Sequence, residues 1–173
     1  NRMAEQIETS ILDVLEAKHT MTAIDRTYAI IEFDLDGTIR NANKNFLRLS
    51  GYTKEELIGR HHRILCDPAY VESGDYAAFW QKLTRGELET GTYQRVAKGG
   101  KPIWIQASYN PTHNAAGTVY KIAKFAIDMT AQKEAEIARQ EQEARLQAIV
   151  SNAVDGIVTI NDRGIIESFN AAA

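Results

Sequence analysis

The stretch Ile30–Asn43, "IIEFDLDGTIRNAN", decides how the rest of the chain is read. Its apolar residues run into Asp34-Leu35-Asp36-Gly37-Thr38, and two physical readings compete for those positions. Two carboxylates one residue apart after a strand can divide nucleophilic attack and proton transfer in phosphoryl chemistry. Alternatively, Asp36-Gly37 is a two-residue type I′ turn, because glycine takes a positive φ without steric cost. The first reading makes the chain an enzyme. The second makes Tyr28 to Asn41 a β-hairpin.

An internal repeat favours the hairpin. "IVTINDRGIIESFN", Ile157–Asn170, returns the pattern of strand, turn glycine, strand and asparagine at one constant offset, so that Gly37 aligns with Gly164 and Asn43 with Asn170. The acid pair does not return: Asp34 becomes Asn161 and Asp36 becomes Arg163. The Asp-x-Asp-Gly-Thr letters resemble the nucleophile loop of haloacid-dehalogenase phosphatases. Such an enzyme also needs a downstream lysine and a late pair of metal-binding acids at the ends of parallel strands, and the strands that follow here form a meander without that pair.

Composition sets the outer bounds. The 173 residues, 44% hydrophobic and 25% charged, suit one ordinary domain with extra elements. A net charge of −3 without a long basic run gives no electrostatic reason to expect nucleic acid or an anionic membrane surface. Cys66 is the single cysteine, so no internal disulfide forms, and no apolar run approaches the ~18 residues of a membrane span. A cytoplasmic location is expected. The start at Asn1 and the ending "SFNAAA" lead us to expect a piece of a longer protein.

Working outward from the hairpin, Met3, Ile7, Ile11, Val14 and Lys18, with Leu12 and Leu15, follow the spacing of an amphipathic helix that needs a covering surface, and a second copy of the chain would supply it. After the hairpin, Asn43 or Asn45 starts a short helix, Thr53 and Glu56 form a capping box for another, and Ser73 or Asp75 caps "YAAFWQKL". "TYQRVAK", "KPIWIQASYN" and "TVYKIAKFAID", separated by Gly99-Gly100 and "THNAAG", read as three antiparallel strands. From Thr130, "AQKEAEIARQEQEARLQ" is a solvated helical connector whose stripe of Ala131, Ala135, Ala138 and Gln142 is weak for a coiled coil.

Two strands, short helices, then three antiparallel strands is the order of a PAS domain. "FDLDGTIRNANKNFLRLSGYTKEELIGR" resembles that family's first half, and "GGKPIWIQASYNPTHNAAGTVYKIAKFAIDMT" its last two strands, closing on Asp128-Met129-Thr130. The resemblance implies an α+β fold, a five-stranded antiparallel sheet with short helices on one face. It divides the chain into an N-terminal dimerisation helix and linker (1–27), the PAS domain (28–130), a helical connector (131–148) and the truncated start of a second PAS domain (149–173). It also implies a sensory module of chemoreceptor or histidine-kinase type. Such a module senses a small ligand, redox state or oxygen through a bound cofactor and signals through Asp128, Thr130 and the helical connector to a downstream output domain. A cofactor-free dimerisation module is the alternative.

The stretch "GRHHRILCDP" is similar to the cysteine-bearing segment of flavin-binding light sensors, with His62 where the photoreactive cysteine falls. Arg95, Ile105 and Ala126 take the places of the flavin-contacting amides, so blue-light chemistry is not expected. His62 and Pro68 share a spacing with FAD-holding aerotaxis domains, although Glu89 replaces their tryptophan. Imidazole is also the right ligand type for haem iron, and the cysteine alignment aims His62 at the interior. Candidate cofactor residues for haem or FAD are therefore His62, His61, Arg63, Trp104 and Tyr93. The plainer reading makes His61 and His62 a loop pair that caps a helix end or faces water. Strand alternation separates Tyr93 and Arg95 from Gln94 and Val96, and Trp104 from Ile103 and Ile105, without saying which face is inner.

Overall fold

The computed structural model describes residues 2–153, 155–170 and 172, with the side chains of residues 2–5 and 8 outside that description. Met3, the first member of the apolar helix stripe, falls among those side chains. The chain divides into two units, Asn1–Thr130 and Ala131–Ala173.

In the first unit α1 (Arg2–Thr27) leads into β1 (Ala29–Phe33) and β2 (Ile39–Ala42). Ala29, Ile31 and Phe33 alternate into the interior, the period-2 pattern of a strand with one face covered. The turn differs from the expected two-residue type. Gly37 N–H donates to Asp34 O and Asp34 N–H to Thr38 O, Gly37 sits at φ 90°, and no described non-glycine residue has positive φ. Type I′ geometry needs positive φ at both central positions. Asp36 instead accepts from Thr38 N–H through its own carboxylate at 2.9 Å, within a turn longer than two residues that carries a register shift beside Phe33. Asp34 pairs with Arg40 in solvent, 3.2 Å apart. Both acids of the phosphatase reading are thus turn residues on an antiparallel hairpin.

The helices begin where their caps dictate. Asn43 caps α2 (Lys44–Ser50), Thr53 and Glu56 make a complete capping box on α3 (Lys54–Leu57), and Ser73 caps α5 (Gly74–Thr84). A 3-10 turn, His62–Leu65, and α4 (Pro68–Val71), opened by Asp67 with proline in its first turn, lie between them. On α5 the residues Tyr76, Phe79, Trp80 and Leu83 are buried, the 3-and-4 spacing of one helical face.

The meander follows as β3 (Glu89–Val96), β4 (Pro102–His113) and β5 (Val119–Asp128). The five strands order as β2-β1-β5-β4-β3, every pairing antiparallel. Ile103, Ile105, Ala107 and Tyr109 of β4 and Ile122, Lys124 and Ala126 of β5 face the helices and join one core with Phe46, Leu57 and Phe79. The expected α+β fold, with short helices over one face of a five-stranded sheet, is the fold observed. α1 stays outside that core: Ile11, Leu12 and Val14 are all exposed.

The second unit holds most of α6 (Thr130–Ser151), with β6 (Val158–Ile160) and β7 (Ile166–Phe169). Its hairpin repeats the backbone bonds of the first turn and its asparagine anchor, whereas the side-chain acceptor in the turn is Asn161 rather than the residue in the place of Asp36. Gly164 N–H donates to Asn161 O, Asn161 N–H to Ile165 O, and Asn170 Oδ1 accepts from Ile157 N–H. Ile160, Ile166 and Phe169 are exposed along it.

Candidate functional site

Gly37 and the two histidines are joined through backbone. Gly37 O accepts from His62 N–H at 2.8 Å, and Thr38 bridges to His61. This locks the start of the 3-10 turn against the hairpin. His61 then turns outward as its cap: its Nδ1 accepts from Arg63 N–H at 3.2 Å, and Nε2 lies 2.6 Å from Asp36 O. Adjacent residues point apart, so His62 goes the other way and is 0% exposed.

His62 meets a cage of aromatic and polar groups. Its Nδ1 lies 3.1 Å from the Tyr76 hydroxyl and its Nε2 3.2 Å from the Tyr109 hydroxyl. Phe33 and Trp80 present edges to the ring, Phe79 stacks on it, and the Cys66 thiol lies 3.5 Å from Nδ1. Burial, and then the positive charges of Lys124, Arg95 and His61, hold the His62 imidazole well below its usual range. Burial likewise pushes the Tyr109 hydroxyl up to about 12, against the pull of Arg95.

Two cations share this interior. Arg95, 5% exposed, donates to Gln94 O and Tyr109 Oη and lies over the Tyr93 ring at 4.6 Å. Lys124, 1% exposed, lies over the rings of Tyr109 and Phe46 at 4.8 and 5.7 Å. Burial first, and repulsion from Arg95 second, hold the Lys124 amine well below the ordinary lysine range. Among the described residues no Asp or Glu is buried to balance them.

The sequence candidates therefore separate. His62 and, half-buried, Tyr93 face the cluster. Arg63 is exposed, because the 3-10 turn rotates it away from His62, and Trp104 lies on the opposite sheet face from buried Ile103 and Ile105. Trp104 contributes backbone instead: its O accepts from Met129 N–H, and its N–H donates to Thr130 Oγ1 at 3.0 Å. Asp128 accepts from Thr130 N–H at 2.9 Å. Sequence reasoning missed Ser50, Tyr76 and Lys124. The signal for Lys124 was legible, since it occupies the apolar register of Ile122 and Ala126 on β5.

Neither haem nor flavin finds room at His62 in this packing. Both ring nitrogens already face tyrosine hydroxyls, and the interior cavity beside the cluster measures ≈ 10 Å³, about one water. The roomier clefts, ≈ 700 and ≈ 420 Å³, are lined by other residues, the larger by Phe125, Gln106 and Ser108 and the smaller by Arg48, Lys101 and Asp128. Among the described residues, no three His, Cys, Asp or Glu side chains gather to hold a metal ion. No helix among them is long and apolar enough to cross a membrane.

Protonating His62 in place requires a charge in this cage, which gives a pH dependence of defined sign. Its folded pKa lies below the unfolded value of 6.5, so the unfolded chain binds more protons between those two values. Stability is therefore highest above pH 6.5 in this respect and falls as pH drops toward the folded pKa, by up to about 1.4 kcal/mol per pH unit. His61 is depressed as well, by partial burial, and adds in the same direction. Urea unfolding from pH 7 to 5 should show a steeper loss in the parent chain than in His62→Gln. Parallel curves for the two would remove His62 as the source.

A family model described as PAS fold matches residues 39–126. The biofilm dispersion protein BdlA of Pseudomonas aeruginosa is 41% identical over 151 residues, 82% of this chain and 35% of that protein. The aerotaxis receptor of Escherichia coli is 32% identical over 87 residues, 50% of this chain and 17% of that protein. The chain thus spans about a third or less of these relatives. Among solved structures, an RNA-binding light-oxygen-voltage receptor superposes with a TM-score of 0.61 at 26% identity, covering 82% of this chain and 40% of that one.

Proposed function

We infer, since this chain belongs to the PAS fold family, that it is a sensory module which converts a change at the buried His62–Tyr109–Arg95–Lys124 cluster into a change at the start of α6. One observation carries this reading. Lys124 reaches the cluster from β5, and four residues later the same strand ends at Asp128, where Met129 and Thr130 are latched to the Trp104 backbone on β4. A shift of β5 against β4 must break or move that latch. Chemoreceptor and histidine-kinase outputs suit such a module, as does a second PAS domain beginning at the repeated hairpin. A flavin or haem, the cofactors the family resemblance brings to mind, would need the cage around His62 to open, and an absorption spectrum from roughly 350 to 600 nm tests for either.

The latch is tested with the chain fused upstream of a histidine-kinase output. Thr130→Ala removes the bond from Trp104 N–H and should cost about 1 kcal/mol of stability. It should also fix the kinase output on or off while the domain still folds. An output that tracks the parent's under every stimulus would sink the relay. The exposed apolar stripe of α1 supports a second reading, a homodimerisation module without a sensed ligand, for which Thr130→Ala leaves output unchanged.

A further inference from the structure

Among the described residues, two buried cations without a carboxylate partner lie around one small cavity. Phe46, Leu65, Ile103 and Ile105 form its apolar wall, and Ser50, Arg95 and Lys124 are its polar lining. The Ser50 hydroxyl and Arg95 Nε are both buried without a hydrogen-bond partner. Such groups are rare in folded proteins and mark an unseen water or ion, because each costs free energy when left unmade. Two buried cations without a carboxylate are costlier still, and aromatic faces compensate a cation only in part. Arg95 also lines a surface cleft of ≈ 360 Å³ with Asp67, Tyr70 and Gln94, so it stands between the cavity and solvent.

We propose that Ser50, Arg95 and Lys124 bind a small monovalent anion of about a water's size, a halide. Arg95 Nε and the Ser50 hydroxyl are the free donors, the Arg95 guanidinium balances the anion's charge, and a bound anion favours the ammonium form of Lys124 beside it. A cavity of ≈ 10 Å³ sets the size limit. The anion's place is on the inner face of β5, so the proposal rests on the sensory reading for its purpose, though binding itself is measurable without any output.

The test is thermal unfolding of the full chain at constant ionic strength in sodium chloride, formate, acetate and gluconate, the last being too large to enter. A saturable rise of roughly a few degrees over gluconate is expected in chloride, and a rise confined to formate or acetate would overturn the proposal. Ser50→Ala should weaken that binding roughly tenfold or more, having lost a hydrogen bond to a charge. Lys124→Met should melt higher than the parent in gluconate and show no anion dependence. Equal melting temperatures in all four salts would assign the cavity to water and overturn the proposal. So would equal anion responses in the parent and Ser50→Ala, a comparison that stands even where Lys124→Met does not fold. An anion response together with an indifferent Thr130→Ala fusion would leave this proposal standing and remove the sensory reading. The opposite pair of results would remove the anion alone.

Discussion

Gly37→Val should destabilise the first unit by at least about 3 kcal/mol, whereas Asp36→Asn should stay within about 1 kcal/mol of the parent. Two independent causes act at Gly37. Its φ of 90° is a conformation that a β-branched residue adopts only under strain, of order 1–3 kcal/mol. Its position also leaves no room, because a Cβ there would stand 2.7 Å from His61 Nε2 and 3.2 Å from Trp80 Cζ2. His61 cannot swing aside freely. It caps the 3-10 turn and contacts Asp36 O, so moving it releases the segment that places His62. Asp36→Asn keeps the side-chain oxygen that accepts from Thr38 N–H and is therefore the matched control for the turn. Urea midpoints measure both variants. An unshifted midpoint in Gly37→Val would contradict the close approach, and a large loss in Asp36→Asn would give that carboxylate a role beyond the turn.

Asn43→Ala is expected to cost roughly 2–3 kcal/mol, about twice an ordinary helix cap. Its Oδ1 accepts from both Ile30 N–H and Phe46 N–H at 2.9 Å, and its Nδ2 donates to Tyr28 O and Asp25 O. One amide thus fastens the end of α1, the first strand and the start of α2. Asn43→Asp keeps both acceptor bonds but sets a carboxylate where donors met Asp25 and Tyr28 O, so it should recover little of the loss. A loss near 1 kcal/mol in Asn43→Ala, with Asn43→Asp fully stable, would reduce the residue to a simple cap. Asn170 makes the corresponding bonds to Ile157, Val150 and Asp155, which explains why the repeat preserves the asparagine.

That repeat shows how much was legible in the residues alone. Strand alternation, cap residues and glycine turns are local, set by neighbours within about four positions, and they carried the element order, the cap at Thr53, the narrowing of two others to Asn43 or Asn45 and Ser73 or Asp75, and the antiparallel meander. The turn at Asp36 was misread for a local reason too: two-residue and longer glycine turns share the Asp-Gly signal, and the same longer turn forms again with Arg163 in the place of Asp36. What no local rule supplies is which face of a strand turns inward. Tyr93 and Arg95 could not be ranked above Gln94 and Val96, nor Ile103 above Trp104, until the helices were laid on one side of the sheet. The same packing sent His62 inward and His61 outward, left Arg63 exposed and Trp104 on the other sheet face, and gathered Ser50, Arg95 and Lys124 from α2, β3 and β5 around one cavity. Local patterns sufficed for the long helices, the strands and their order, though not for α4 or the 3-10 turn. The site came from packing, because burial and the charge it strands are properties of residues far apart in the chain brought under one sheet.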